Sequence, residues 1–269
     1  MGINKVDPPK KVGLALGSGA ARGLSHIGVL RVLEQEGIPI DMIAGTSIGA
    51  LIGSFYAHGR SADKIAKLAI DLGENRLNFL INLSLPKTGL MRGRRLNAIL
   101  KSVIRDTRFS DLRIPFACVA TDIDSGEEVV LNEGLVRDAA RASCSLPVIF
   151  SVVKNQSRYL VDGGLVNPVP VSVLKSMGAD IIIAVNVIPP HEVPGTAHHN
   201  IFTVVMRTIH ISRYGLIKAS LDEADIVIEP RVDDIGYADF QRADDSILRG
   251  EQAARQAVPG INKLLALSK

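Results

Sequence analysis

The stretch Asp41-Met42-Ile43-Ala44-Gly45-Thr46-Ser47-Ile48-Gly49-Ala50-Leu51-Ile52-Gly53 decides the fold. Residues 41–44 are a short apolar, strand-like run, Gly45 to Gly49 form a Gly-x-Ser-x-Gly turn, and an Ala/Gly/Leu-rich helix follows to about His58, where Gly59 stops it. The same order stands upstream. Residues 11–16 are β-prone and end in a glycine cluster, and residues 24–36 then carry Leu24, Ile27, Leu30 and Val32 or Leu33 at helical spacing. Gly37 suits the left-handed position past that helix, and Pro39 prevents its continuation. Two strand–turn–helix units in succession are the signature of a sheet covered by helices.

The rest of the chain continues the alternation. Helices are expected over 61–72, capped by Ser61, and over 94–105, 136–142, 171–177 with a stop at Gly178, and 201–221, with a pair of helices after about Phe240. Strands are expected over 116–121 and 128–131, around an Asp124-Ser125-Gly126 turn, and over 159–161, 180–187 and 226–229. The nearly continuous Ile/Val run of 180–187 suits a parallel strand covered on both faces. The apolar connection Leu77-Asn78-Phe79-Leu80-Ile81-Asn82-Leu83-Ser84-Leu85-Pro86 reads as a lid or lipid-facing loop, or as buried packing; the second is preferred because isolated apolar loops usually pack inward. No repeat or linker interrupts the chain, so residues 1–10 are expected as a tail and 11–269 as one domain.

Composition narrows the function. With 269 residues, 46% hydrophobic and 22% charged, the chain can bury a core and is not disordered. Cys118 and Cys144 are too few for a disulfide scaffold and lack metal-ligand spacing, which suggests a reducing, cytoplasmic compartment. The first residues lack a secretory leader pattern, and no run reaches the ~18–20 apolar residues of a membrane helix, so any membrane contact is expected to be peripheral. A net charge of +3 spread along the chain, with 4% aromatic residues and no Trp, argues against a nucleic-acid partner.

Three segments carry chemistry. In Gly45-Thr46-Ser47-Ile48-Gly49 the chain reverses so tightly that side chains beside the serine would clash, and the turn exposes Ser47 Oγ at the positive end of a helix. A serine hydroxyl needs a base. His26, His58 and His210 lie on expected helices, and His191, His198 and His199 share one polar loop, read as solvated rather than as a metal site; none stands where a Ser…Asp…His hydrolase would use it. Asp162, in Tyr159-Leu160-Val161-Asp162-Gly163-Gly164, follows a short apolar strand, and partial burial would make it a stronger base than in water. Taken alone the segment fits an Asp-Gly turn equally well. The third segment, Leu16-Gly17-Ser18-Gly19-Ala20-Ala21-Arg22-Gly23, also follows a strand and opens a helix, so its N–H groups could surround a phosphate or an acyl oxyanion. Its G-x-G-x-x-x-G spacing, and an Asp41 that precedes a strand instead of ending one, disfavour a dinucleotide. No cofactor is expected.

These segments, with Ala142-Ser143-Cys144-Ser145-Leu146-Pro147-Val148-Ile149-Phe150, which looks like an A-S-x-x-x-P-x-x-F pattern, resemble the patatin-like phospholipase family, in particular its short bacterial members. The resemblance covers residues 11–177. It implies a three-layer αβα sandwich with a mostly parallel central sheet and a metal-independent Ser–Asp dyad acting on phospholipids, lysophospholipids or other acyl esters. Ser47 is then the nucleophile and Asp162 the base, with Gly19, Ala20, Ala21 and Arg22 as the oxyanion segment and Gly17, Gly23, Gly45, Gly49, Gly163 and Gly164 as motif glycines. The family's usual G-G-G-x-R-G is here Ser18-Gly19-Ala20-Ala21-Arg22-Gly23, and alanine tolerates positive φ poorly. Arg22 is expected to hold the loop rather than to bind lipid phosphate or pair with a core carboxylate. A lipid- or acyl-binding regulator with a vestigial dyad is the alternative.

Overall fold

The computed structural model describes residues 10–74, 90–147, 149–189 and 201–266. In chain order the elements are β1 (Val12–Leu16), α1 (Ser25–Gln35), β2 (Met42–Thr46), α2 (Ile48–Ala57), α3 (Ala62–Glu74), α4 (Leu90–Ile104), β3 (Phe116–Asp122), β4 (Glu128–Leu131) and α5 (Val136–Ser143). There follow β5 (Val153–Asn155), β6 (Arg158–Asp162), α6 (Val171–Met177), β7 (Ile181–Val185), α7 (Ile201–Asp222), β8 (Ile226–Ile228) and α8 (Ala243–Ala266). The strands join in the order β5-β6-β3-β2-β1-β7-β8, with β4 also paired to β3. β3, β2, β1, β7 and β8 are parallel, whereas β4, β5 and β6 pair antiparallel at one side.

The period-2 alternation of the strands separates the layers. Val12, Leu14, Leu16, Ile43, Phe116, Ile181 and Ile183 face one side, where they pack with α1, α2, α3, α4, α5 and α8. Ala15, Met42, Ala44, Ala117, Ile182 and Ala184 face the other, beneath α6 and Ile217 of α7. The result is a helix–sheet–helix sandwich. On the second face the register aligns Ala184, Ala15, Ala44 and Ala117 in one row across four strands, which lets α6 lie close to the sheet.

The boundaries differ from the sequence expectation where tertiary contacts override local preference. The second strand runs on to Thr46, because Gly45 pairs with Leu16 of β1 and Thr46 with Val119 of β3. Strand β5, which the sequence reading lacks, is three residues long and is held by its ladder with β6 and by Val153 packed against Ala120, Ala142 and Leu160. Ala62, at the start of α3, donates its N–H to the carboxylate of Glu34 (3.2 and 3.3 Å). The expected terminal helix pair is a 3-10 turn, Phe240–Arg242, running into the single 24-residue helix α8. That helix continues through Pro259 because its buried stripe, with Ala254 and Ile261 on either side of the proline, is unbroken. The apolar connection 77–86, the loop with His191, His198 and His199, and residues 1–9 of the expected tail lie outside the described residues. Among the described residues no helix is long and apolar enough to cross a membrane.

The alanine row is directly testable. Ala44→Leu is expected to lower the unfolding free energy by about 2 kcal/mol or more through overpacking against α6. The volume-conserving Ile43→Leu on the opposite face should cost less than about 1.5 kcal/mol. Urea denaturation of the two variants measures both, and equal midpoints would contradict the close approach.

Candidate active site

Strand register alone brings the three chemical segments together. β1 ends at Leu16 opposite Gly45 of β2, Thr46 pairs with Val119 of β3, and the next residue of β3, Ala120, pairs with Asp162 of β6. Gly17, Ser47 and Asp162 therefore leave their strands at one level of the sheet. Ser47 Oγ donates a hydrogen bond to Asp162 Oδ2 at 2.6 Å. No histidine stands between them.

The turn at Ser47 is strained and tightly bounded. Ser47 sits at φ 56°, ψ −121°, in the positive-φ region that a side chain disfavours. A Cβ on Gly45 would lie 2.6 Å from the Gly49 carbonyl oxygen, and one on Gly49 would lie 2.1 Å from the Leu16 carbonyl oxygen. Only hydrogen fits at either position. The Ser47 N–H donates to Ser143 Oγ (2.9 Å), and Cys144 Sγ–H donates to the Ser47 carbonyl (3.1 Å). Ser145 completes the clamp on the other partner, its carbonyl accepting the Asp162 N–H at 3.0 Å. The last residue of α5 and the two that follow it thus fix both members of the pair from one side.

Asp162 is 3% exposed. Its Oδ1 accepts the Gly164 N–H (2.8 Å), and its carbonyl accepts Thr121 Oγ1–H (2.8 Å). Burial pushes its carboxyl above the ordinary carboxylate range, against the opposing effects of the Ser47 bond, the Gly164 N–H and the positive charge of Arg213. Gly163 and Gly164 permit the approach: a Cβ on the first would lie 2.2 Å from the Val119 carbonyl oxygen, and one on the second 2.9 Å from Ser18 Oγ.

The glycine segment wraps over the pair. The Gly17 N–H donates to the Val185 carbonyl (3.1 Å) and the Ser18 N–H to the Pro168 carbonyl (2.8 Å). A Cβ on Gly23 would lie 2.2 Å from Ile48 Cγ2. Ala20 adopts φ 50°, the strained choice for a residue that is not glycine. Of the four oxyanion candidates, Ala21 donates its N–H to the Tyr237 carbonyl (3.3 Å) and Arg22 to the Gly19 carbonyl (3.2 Å). Among the described residues the N–H groups of Gly19 and Ala20 have no acceptor. The Arg22 side chain is buried, donates from Nε to the Ile235 carbonyl (2.6 Å) and lies 4.3 Å above the Tyr237 ring, so it ties the glycine segment to the 235–237 loop.

Sequence reasoning missed His26, Ser143, Ser145 and Arg213. His26 is fully buried on α1 with Nε2 2.7 Å from the Gly17 carbonyl. A carbonyl can only accept, so Nε2 carries the proton, and burial holds the ring neutral with a pKa pushed down to about 4. Ser143 and Ser145 lay within a quoted motif, but nothing in the one-dimensional pattern assigned them partners.

The family model for patatin-like phospholipases matches residues 14–175. The chain belongs to the patatin-like phospholipase family. The human patatin-like phospholipase domain-containing protein 6 is 36% identical over 181 residues, covering 65% of this chain and 13% of that protein. An uncharacterized NTE family protein of Mycobacterium tuberculosis is 35% identical over 176 residues, 65% of this chain and 49% of its own length. Lysophospholipase NTE1 of Mycosarcoma maydis is 37% identical over 181 residues, 65% of this chain and 10% of that protein. The chain thus matches less than half the length of each of these relatives. The solved structure of VipD from Legionella pneumophila superposes with a TM-score of 0.58 at 14% identity, covering 94% of this chain and 67% of that one. That likeness is one of fold.

The clamp on the family's serine turn yields a measurable expectation. Ser143→Ala removes the acceptor of the Ser47 N–H and is expected to lower stability by about 1–3 kcal/mol, the cost of a buried unsatisfied donor. Thermal or urea unfolding checks it, and an unchanged midpoint would mean that the N–H finds another partner.

Proposed function

We propose that this protein is a serine acyl hydrolase that cleaves fatty-acyl esters of phospholipids or lysophospholipids, with Ser47 as nucleophile and Asp162 as general base. The 2.6 Å hydrogen bond between Ser47 Oγ and Asp162 Oδ2 carries the reading, and the family relationship supports the lipid class of substrate. Ser47 attacks the ester carbonyl while Asp162 takes its proton. The tetrahedral oxygen lies against the Gly19 and Ala20 N–H groups, a role supported by their having no acceptor among the described residues, and the dipole of α2 favours the same charge. The alcohol leaves with the proton, and water activated by Asp162 releases the fatty acid from the acyl-enzyme.

Removing either partner is expected to lower kcat/KM on a nitrophenyl ester by roughly 10³–10⁶-fold, on the scale seen when such units are broken. Ser47→Ala or Asp162→Asn turning over at the parent rate would end the proposal.

The pH dependence follows from the sign of the Asp162 shift. The base acts only when ionised, and burial raises the pH at which it ionises. Activity is therefore expected to fall as pH drops through a midpoint above the usual carboxylate value of about 3.9. A kcat/KM profile with an acidic limb at or below that value would contradict the buried base.

A further inference from the structure

Arg213 is a buried cation that the proposed chemistry does not use. It lies on one face of α7 with His210 and Ile217, and all three are less than 8% exposed. Ile217 packs in the apolar layer beneath α7, and one turn earlier the same face becomes basic. Arg213 Nη1 donates to Ser18 Oγ at 3.3 Å, which anchors the guanidinium to the glycine segment. Among the described residues its Nε and Nη2 atoms are buried and have no hydrogen-bond partner.

These two atoms form one edge of the guanidinium. Their N–H bonds lie in one plane and run side by side, the fork that matches two oxygens of a phosphate or carboxylate. Asp162 does not fill it: one carboxylate oxygen is taken by Ser47 and the other by the Gly164 N–H. Burying a guanidinium with an unfilled fork is costly, and an oxyanion ligand relieves that cost directly. The charge of Arg213 also reaches Asp162, whose ionised form it favours. Arg22 lies over the Tyr237 ring, and the Tyr237 hydroxyl stands 3.3 Å from His210 Nδ1, one turn from Arg213 on α7.

We propose that the Nε/Nη2 edge of Arg213 receives the phosphate of the substrate, which makes the preferred ester a phosphate-bearing acyl lipid rather than a neutral one. This assignment rests on the Ser47–Asp162 reading above. Ser18, which holds Arg213, is next in the chain to Gly19, so the guanidinium and the proposed oxyanion donors are anchored to one loop.

The test compares the parent, Arg213→Met and Arg213→Lys on a lysophosphatidic acid and on the neutral monoacylglycerol of the same chain length, at a pH above the acidic limb. The ratio of kcat/KM, phosphate ester over neutral ester, is expected to fall about 30-fold with Met and about 10-fold with Lys, which keeps the charge but loses the fork. Most of the fall should lie in KM. Glycerol 3-phosphate should inhibit the parent competitively against monoacylglycerol and inhibit Arg213→Met at least ten times more weakly. Equal losses on the two esters would overturn the proposal by assigning Arg213 to the dyad or the fold. Inorganic phosphate inhibiting as strongly as glycerol 3-phosphate would overturn the headgroup assignment in favour of a free anion. A parent that hydrolyses neither ester contradicts the Ser–Asp reading itself. Calorimetry of glycerol 3-phosphate with the parent then decides the anion site separately, and absence of binding overturns it; the same titration serves if Arg213→Met fails to fold.

Discussion

A hydroxyl and a carboxylate 115 positions apart in sequence meet at 2.6 Å, and most of the local architecture can be read as the means of keeping them there. The carboxylate is buried, which disfavours its charge, so it is tolerable only while its oxygens are occupied. Ser47 and the Gly164 N–H occupy them. The pair lies at one level of a sheet whose register sets where each strand ends: β2 two residues past the alanine row, β6 opposite Ala120. A slip of one residue in either strand would turn the corresponding side chain to the opposite face.

Two of the chain's strained residues belong to this region. Ser47 and Ala20 both have positive φ without being glycine, a conformation that costs of order 1–3 kcal/mol and persists only where neighbours over-determine it. The neighbours are identifiable. Ser143 and Cys144 grip the backbone of Ser47 on both sides. The glycine segment is held by His26 from α1, by Arg22 on the Ile235 carbonyl and the Tyr237 ring, and by Arg213 on Ser18. Helices from both layers therefore converge on a loop of seven residues, and the rigidity of that loop is a property of the whole sandwich.

Much of this was legible in the sequence. Leu14, Leu16, Ile43 and the run Ile181–Val185 announce strands covered on both faces, and the turn glycines Gly45 and Gly49 announce the reversal at Ser47. Asp162 was readable as a carboxylate after a strand, but not its distance from Ser47, which depends on β6 pairing antiparallel with β3. The roles of Ser143 and Ser145 were hidden because they act through one hydroxyl and one carbonyl whose partners lie in other elements. Arg213 left no signal at all, since an arginine on a helix ordinarily faces water and only the packing of α7 buries it. The expected helix pair after Phe240 is one helix through Pro259, because the buried stripe that carries it past the proline is tertiary.

The most direct measurement of the central claim is the rate at which a fluorophosphonate labels the protein, with the modified residue located by tandem mass spectrometry. An activated Ser47 predicts a single adduct on that residue in the parent and labelling slowed at least a hundredfold in Asp162→Asn. An adduct on another residue, or equal rates in parent and variant, would contradict an aspartate-activated serine.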